Sequence, residues 1–210
     1  MSDMSSSNSR PLVVGLTGGI GCGKTTVLEC FREMGVPCFM ADRQGSACYE
    51  DATFQAEVRS LFGDGVFLPN GEVDKKALAQ IVFADKPKLE QLNALVHPRV
   101  RQAFHEWLGR QTAPFVIYEC AILYEYGLDQ DVDKVICVYL EKEERLRRLE
   151  VRDRLSREAL EARMRNQLSA EAKMDRADYV ILNYEGNPRM RQCRHAAEQI
   201  GAELAQIKKN

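Results

Sequence analysis

The chain has 210 residues, of which 29 are basic, 31 acidic and 45% apolar, for a formal charge of −2. That length and mix suit one soluble globular domain with a substantial core, and the near-zero charge excludes a molecule drawn as a whole to nucleic acid or an anionic membrane. No apolar run approaches the ~20 residues of a membrane span. The seven cysteines, odd in number and without a C-x-x-C pair, exclude a disulfide framework or zinc site, and we expect reduced, buried thiols in a cytoplasmic protein.

The Ser-rich start, residues 1–10, has no apolar signal region and reads as a disordered tail. Leu12 to Thr17 follows as a buried strand. The next eight residues, Gly18-Gly19-Ile20-Gly21-Cys22-Gly23-Lys24-Thr25, fit G-x-x-x-x-G-K-[ST] without a mismatch. A helix over 24–34, ended by Gly35, completes the strand–loop–helix setting that this phosphate-binding loop requires. The glycines let the backbone wrap a polyphosphate with its N–H groups turned inward, and the helix adds its positive end. Lys24 can reach the β- and γ-phosphates, and the Thr25 hydroxyl can ligate Mg²⁺. The chain is therefore expected to bind a nucleoside triphosphate. Cys22, beside Lys24 and a helix N-terminus, is expected to be more reactive than the buried thiols.

A second strand is expected over 36–41. A mostly helical stretch, 43–111, follows, broken at Gly63-Asp64-Gly65 and at Pro69-Asn70-Gly71. It is too long for a simple crossover and reads as an inserted lobe holding a second substrate. Strands over 115–120 and 134–140, an Arg-rich helical region over 142–174, a strand over 178–183 and a helix over 187–206 complete the order. Alternation of this kind means a parallel sheet with helices on both faces and ligands beyond the carboxyl ends of its strands.

That rule picks out the candidate chemistry. Asp42, past the second strand, could take a proton from an attacking hydroxyl or help hold Mg²⁺, or simply cap a helix starting at Arg43. Glu119 ends the third strand and could hold a metal through water. Glu125 follows in an apolar loop, where it could meet a bulky ligand or a neighbouring loop. Of the eight arginines between 145 and 165, most are expected on a solvated, ion-paired face. Arg152 and Arg157 flank an expected turn, Asp153–Ser156, where a hinged lid would close on phosphates. His97, just before Pro98, is expected to end its helix.

Taken together, these residues resemble the dephospho-CoA kinase family over about 12–190. The carriers are the Thr17-Gly18-Gly19-Ile20-Gly21 opening, Ala41-Asp42, Phe62-Gly63, Leu92-Asn93-Ala94-Leu95-Val96-His97-Pro98, Arg152-Asp153, and Gln167, Ala177-Asp178 and Asn183. The resemblance implies an α/β P-loop fold of the nucleoside-monophosphate-kinase type with a five-stranded parallel sheet. It implies a single domain over 11–210: a core (11–42, 112–141 and 177–206), a helical CoA-binding lobe (43–111) and a lid (142–176). It also implies transfer of the ATP γ-phosphate, with Mg²⁺, to the ribose 3′-hydroxyl of dephospho-CoA, by a monomer or small homo-oligomer that uses no nucleic acid or membrane. By position, Gly19, Ile20, Gly21, Cys22, Gly23, Lys24, Thr25, Thr26 and Asn183 would hold ATP, with Thr25 on Mg²⁺. Asp42 would be the base, with Lys24 and Arg152 on the moving phosphoryl group. Asp42, His97 and the loop from Glu119 through Leu123 to Glu125 would line the acceptor site. The chain departs from the family pattern at Met40, where an acid is usual, at Ser46, where an arginine is usual, and at Ala121, where a proline is usual. A GTP-dependent switch would need an N-K-x-D segment, which the chain lacks. Another small-molecule P-loop kinase and a non-catalytic nucleotide binder are the remaining alternatives.

Overall fold

The computed structural model describes residues 10–207. The strands are β1 (Leu12–Thr17), β2 (Cys38–Met40), β3 (Phe115–Glu119), β4 (Lys134–Tyr139) and β5 (Tyr179–Leu182). The helices are α1 (Lys24–Glu33), α2 (Ala41–Ala47), α3 (Ala52–Phe62), α4 (Lys75–Ala84), α5 (Lys86–Leu108), α6 (Lys142–Asp153), α7 (Arg157–Arg165), α8 (Ala170–Asp175) and α9 (Arg189–Ile207). The described chain divides into two compact units, one formed by the segments up to Met40 and from Gln111 onward, the other by Ala41–Arg110. Residues 1–9 of the tail expected over 1–10 lie outside the described residues, but its last residue, Arg10, is held. Its guanidinium forks onto Asp133 at 2.7 and 2.8 Å, and Asp133 also accepts from the Val13 N–H.

In the first unit all five strands run parallel in the order β2-β3-β1-β4-β5. Their near-continuous apolar runs are what a sheet covered on both faces demands. Val14, Leu16, Ile117, Ile136, Val138 and Ile181 pack with Val27, Leu28 and Phe31 of α1 and with Cys193, Ala196 and Ile200 of α9. Each of the buried Val, Leu, Ile and Phe side chains contributes about 1.5–3 kcal/mol. The chain leaves β1 for β2 in one direction and β3 for β4 in the other, so the crevice between the outgoing connections opens at the carboxyl end of β1.

Beyond β4, α6 and α7 meet through Leu146, Leu149 and Leu160, with Ile20, Leu155 and Met164 packed against them. The expected turn is present. Arg154 ends α6 in the left-handed conformation (φ 53°), and the Ser156 hydroxyl accepts from the Ala159 N–H to start α7.

The second unit has its own core, formed by Phe54, Val58, Val66, Val73, Leu78, Val82 and Leu92. Asp51, Asp74 and Asp85 cap α3, α4 and α5, each accepting backbone N–H groups of the first turn. The Pro69-Asn70-Gly71 turn closes a small hairpin in which Leu68 N donates to Glu72 O at 2.8 Å and Phe67 bridges Val73. Two expectations fail here. His97 does not end its helix, because α5 continues through Pro98 to Leu108. Proline at 98 removes the backbone donor that Ala94 O would take in the helix ladder, and the Arg99 guanidinium donates to Leu95 O at 3.0 Å in the same turn. Asp42 is not an N-cap either: it lies inside the first turn of α2, where a carboxylate complements the helix dipole.

Candidate active site

The loop from Gly18 to Gly23 turns between β1 and α1, and its neighbours explain why glycine recurs in it. Gly23 starts α1 at φ 86°, a left-handed conformation that side chains avoid, and a Cβ there would overlap Asn183 Nδ2. A Cβ on Gly19 would overlap Arg145 Nη1. The loop is held from outside at two points. Gln167 Oε1 accepts from Ile20 N at 3.2 Å, and Asn183 Nδ2 donates to Cys22 O at 2.7 Å. Lys24 Nζ donates to Gly18 O at 3.0 Å, so its ammonium lies across the loop it serves. Thr25 and Thr26 are exposed in the first turn of α1.

Glu119 is buried at the end of β3, in register with Leu16 of β1 and Met40 of β2. An exposed hydroxyl at Thr25 and a buried carboxylate at Glu119 are hard oxygen donors of the kind Mg²⁺ takes when phosphates and water supply its other ligands. Among the described residues no three His, Cys, Asp or Glu side chains group as a metal site. The residues therefore fit a magnesium ion that arrives with its nucleotide better than a resident metal.

Several expected site residues have other employment. Leu123 is fully buried, its side chain beside Gly15 of β1, which makes it a core residue. Glu125 Oε1 pairs with Lys173 Nζ at 2.7 Å and accepts from Leu168 N at 2.9 Å, which makes the neighbouring segment its partner. Asn183 is buried, with Nδ2 on the loop and Oδ1 accepting from Arg189, so its side chain braces the loop. Cys22 is 0% exposed. Its sulfur lies against Gly18 within the main core, so the expected reactivity lacks the access it requires.

Arg152 forks onto Asp153 at 2.6 and 3.1 Å, Arg157 meets Glu143, and Arg147 and Arg148 share Glu144, which is the ion-paired face that the sequence predicts. Arg145 is the exception. It is 6% exposed, its Nε has no partner, and its guanidinium faces Gly19. Position alone could not separate it from its neighbours, but its heptad-like spacing with Leu149 on α6 was a usable signal. Lys173 was missed as well, because a lysine in a short, polar-looking helix reads as exposed. Asp42 and His97 belong to the second unit. His97 is half-buried, and burial lowers its pKa below the usual imidazole value.

A five-stranded parallel sheet with this loop, this lysine and an arginine-bearing segment after β4 defines a P-loop kinase. The model of one such family, described as dephospho-CoA kinase, matches residues 12–188. The chain belongs to the dephospho-CoA kinase family. It is 42% identical to the dephospho-CoA kinase of Geobacillus kaustophilus, covering 82% of this chain and 88% of that one. It is 37% identical to that of Fusobacterium nucleatum, covering 82% and 89%. Among solved structures, TT1252 from Thermus thermophilus aligns with a TM-score of 0.82 at 36% identity over 93% of this chain and 99% of that one. A shikimate kinase from Bacteroides thetaiotaomicron shares the fold at a TM-score of 0.52 and 14% identity, over 90% and 98%. No helix among the described residues is long and apolar enough to cross a membrane.

Proposed function

We propose that this chain transfers the γ-phosphate of ATP to the ribose 3′-hydroxyl of dephospho-CoA, giving coenzyme A and ADP. Family membership over residues 12–188 carries the reading. The loop chemistry supports it. The α1 N-terminus and the loop amides would receive the phosphates, and Lys24, now on Gly18 O, would move onto the β- and γ-phosphates. Little covalent work falls to the protein in such a transfer, so positioning and charge carry the catalysis. Asp42 would accept the 3′-hydroxyl proton, and Arg152, exposed and paired with its neighbour in sequence, would turn from Asp153 to the transferring group when the lid closes. His97 and the backbone of the loop after Glu119 would contact the acceptor. Thr25 and Glu119 would hold magnesium, which would supply positive charge against that of the phosphates. All seven cysteines are free, which suits the reducing cytoplasm.

The test is ADP release from purified protein with ATP and Mg²⁺, offered dephospho-CoA, AMP, gluconate or shikimate in parallel. Turnover is expected with dephospho-CoA alone. Asp42→Asn is expected to lower it about 10²–10⁴-fold while ATP affinity, set by the loop, stays within a few-fold. Turnover with a different acceptor would overturn the substrate, and full activity in the variant would remove Asp42 as base.

A further inference from the structure

We infer that the segment Gln167–Lys173 is a strap coupling the nucleotide loop to the loop after β3, and that Lys173 is a positioning residue for the transfer. The inference rests on the reading above for the identity of the acceptor, but not for the coupling itself. At one end Gln167 Oε1 takes the N–H of Ile20, inside the phosphate-binding loop. One residue on, Leu168 N donates to Glu125 Oε1 at 2.9 Å. At the other end Lys173, 0% exposed, places Nζ 2.6 Å from Ala121 O and 2.7 Å from Glu125 Oε1. Ala121 O also accepts from the Thr17 hydroxyl at 3.5 Å, at the residue that opens the nucleotide loop. The base of the same loop is fixed by Cys120 N donating to Leu16 O at 3.1 Å.

A buried ion pair of this kind stabilises little, since desolvation offsets most of the attraction. What it does supply is a defined geometry. Lys173 has a single tetrahedral set of donors, and two of them are directed at the residues that bracket Ile122 to Tyr124. Glu125 Oε2 is buried with no partner at all, so the contact is not arranged for greatest stability. The strap also carries the chain from α7, the outer part of the lid, into α8. Displacing the nucleotide loop or the lid therefore pulls on both anchors of the loop after β3. An ångström-scale shift of a substrate-positioning element can cost about 10²-fold in rate.

The experiment uses three forms of the full-length protein: wild type, Glu125→Gln, and Lys173→Met/Glu125→Met. The double variant replaces the pair with apolar groups of similar length, a change that buried pairs commonly tolerate. Glu125→Gln keeps the acceptor oxygen for Leu168 N and Lys173 while removing the charge. Hydrogen exchange of amides 120–127 is read with and without a non-hydrolysable ATP analogue, and kcat and KM are read for both substrates. In wild type the analogue is expected to slow exchange at 120–127 several-fold. Glu125→Gln is expected to keep that response at a lower Tm. The double variant, which strips Leu168 N of its acceptor and Ala121 O of its lysine donor, is expected to stay folded at a Tm several degrees lower, keep its KM for ATP, lose the response, and lose about tenfold or more in kcat/KM for dephospho-CoA. A response of equal size in the double variant, a response absent from wild type, or a folded double variant within twofold of wild type would each overturn the inference. Wild type that shows the exchange response but does not turn over dephospho-CoA would leave the strap standing and overturn the acceptor instead.

Discussion

Asn183 shows how a single side chain can maintain a loop that it does not belong to. Its amide reaches Cys22 O at 2.7 Å, and its own backbone carbonyl accepts from Arg148. Asn183→Ala would leave the buried Cys22 carbonyl without that donor, a loss of about 1–3 kcal/mol. A Tm lowered by several degrees is expected, together with weaker ATP binding measured by calorimetry, because the loop would no longer be held in its binding shape. An unchanged Tm and affinity would show that the loop stands without the brace. At this scale the sequence was only partly legible. Phosphate-binding chemistry demands the glycine, lysine and threonine types of Gly18 to Thr25 in that order, whereas Asp42 and Asn183 stood out only as strand-end residues and through the family resemblance. Motif spacing could not tell which side chains the fold would occupy. Leu123, Glu125 and Cys22 all lie in loops proposed to meet substrate, yet each is turned toward protein: Leu123 by Gly15, Glu125 by Lys173 and Cys22 by the main core.

The strands and helices were legible where pattern and punctuation agreed. β1 covers the span predicted, and α1 ends one residue short of it, because Gly35 and the apolar run before the loop admit few alternatives. β2 is shorter than expected, since the chain enters α2 at Ala41. α5 is longer than expected because the helix runs on through Pro98 with the loss of one backbone donor, which a breaker rule does not foresee. The packing of elements also makes a pH prediction. Cys137 of β4 and Cys193 of α9 are fully buried, and burial pushes both thiols up to about 12. In the unfolded chain they ionise near the ordinary thiol value, about 8.5. The folded state then holds protons that the unfolded state releases, so the contribution is intact below about pH 8.5 and is lost as pH rises toward 12. The slope approaches roughly 1.4 kcal/mol per pH unit for each thiol. Urea midpoints are expected to fall steadily from pH 8 to pH 10.5, and Cys137→Ala is expected to flatten that fall. A pH-independent midpoint would contradict the burial argument.

For the whole molecule, the connection after the second strand stood out as a length anomaly. A stretch of about 70 residues between the second and third strands is too long for one crossover, and it forms a unit with its own core and its own Asp-capped helices. The sheet, by contrast, follows from alternation alone, and its order places the glycine loop at the crevice where α/β sheets bind ligands. What neither pattern nor topology could supply is the connection between the loops, which depends on a lysine that no sequence pattern singles out and that is fully buried. The central claim is that this architecture moves the terminal phosphate of ATP to one hydroxyl. The most direct measurement gives the protein ATP labelled with ³²P at the γ-position, Mg²⁺ and dephospho-CoA, then locates the label after separating the products. Label in coenzyme A, released by a 3′-nucleotidase, is the result expected. Label in inorganic phosphate alone, or in a product that the 3′-nucleotidase does not cleave, would contradict it.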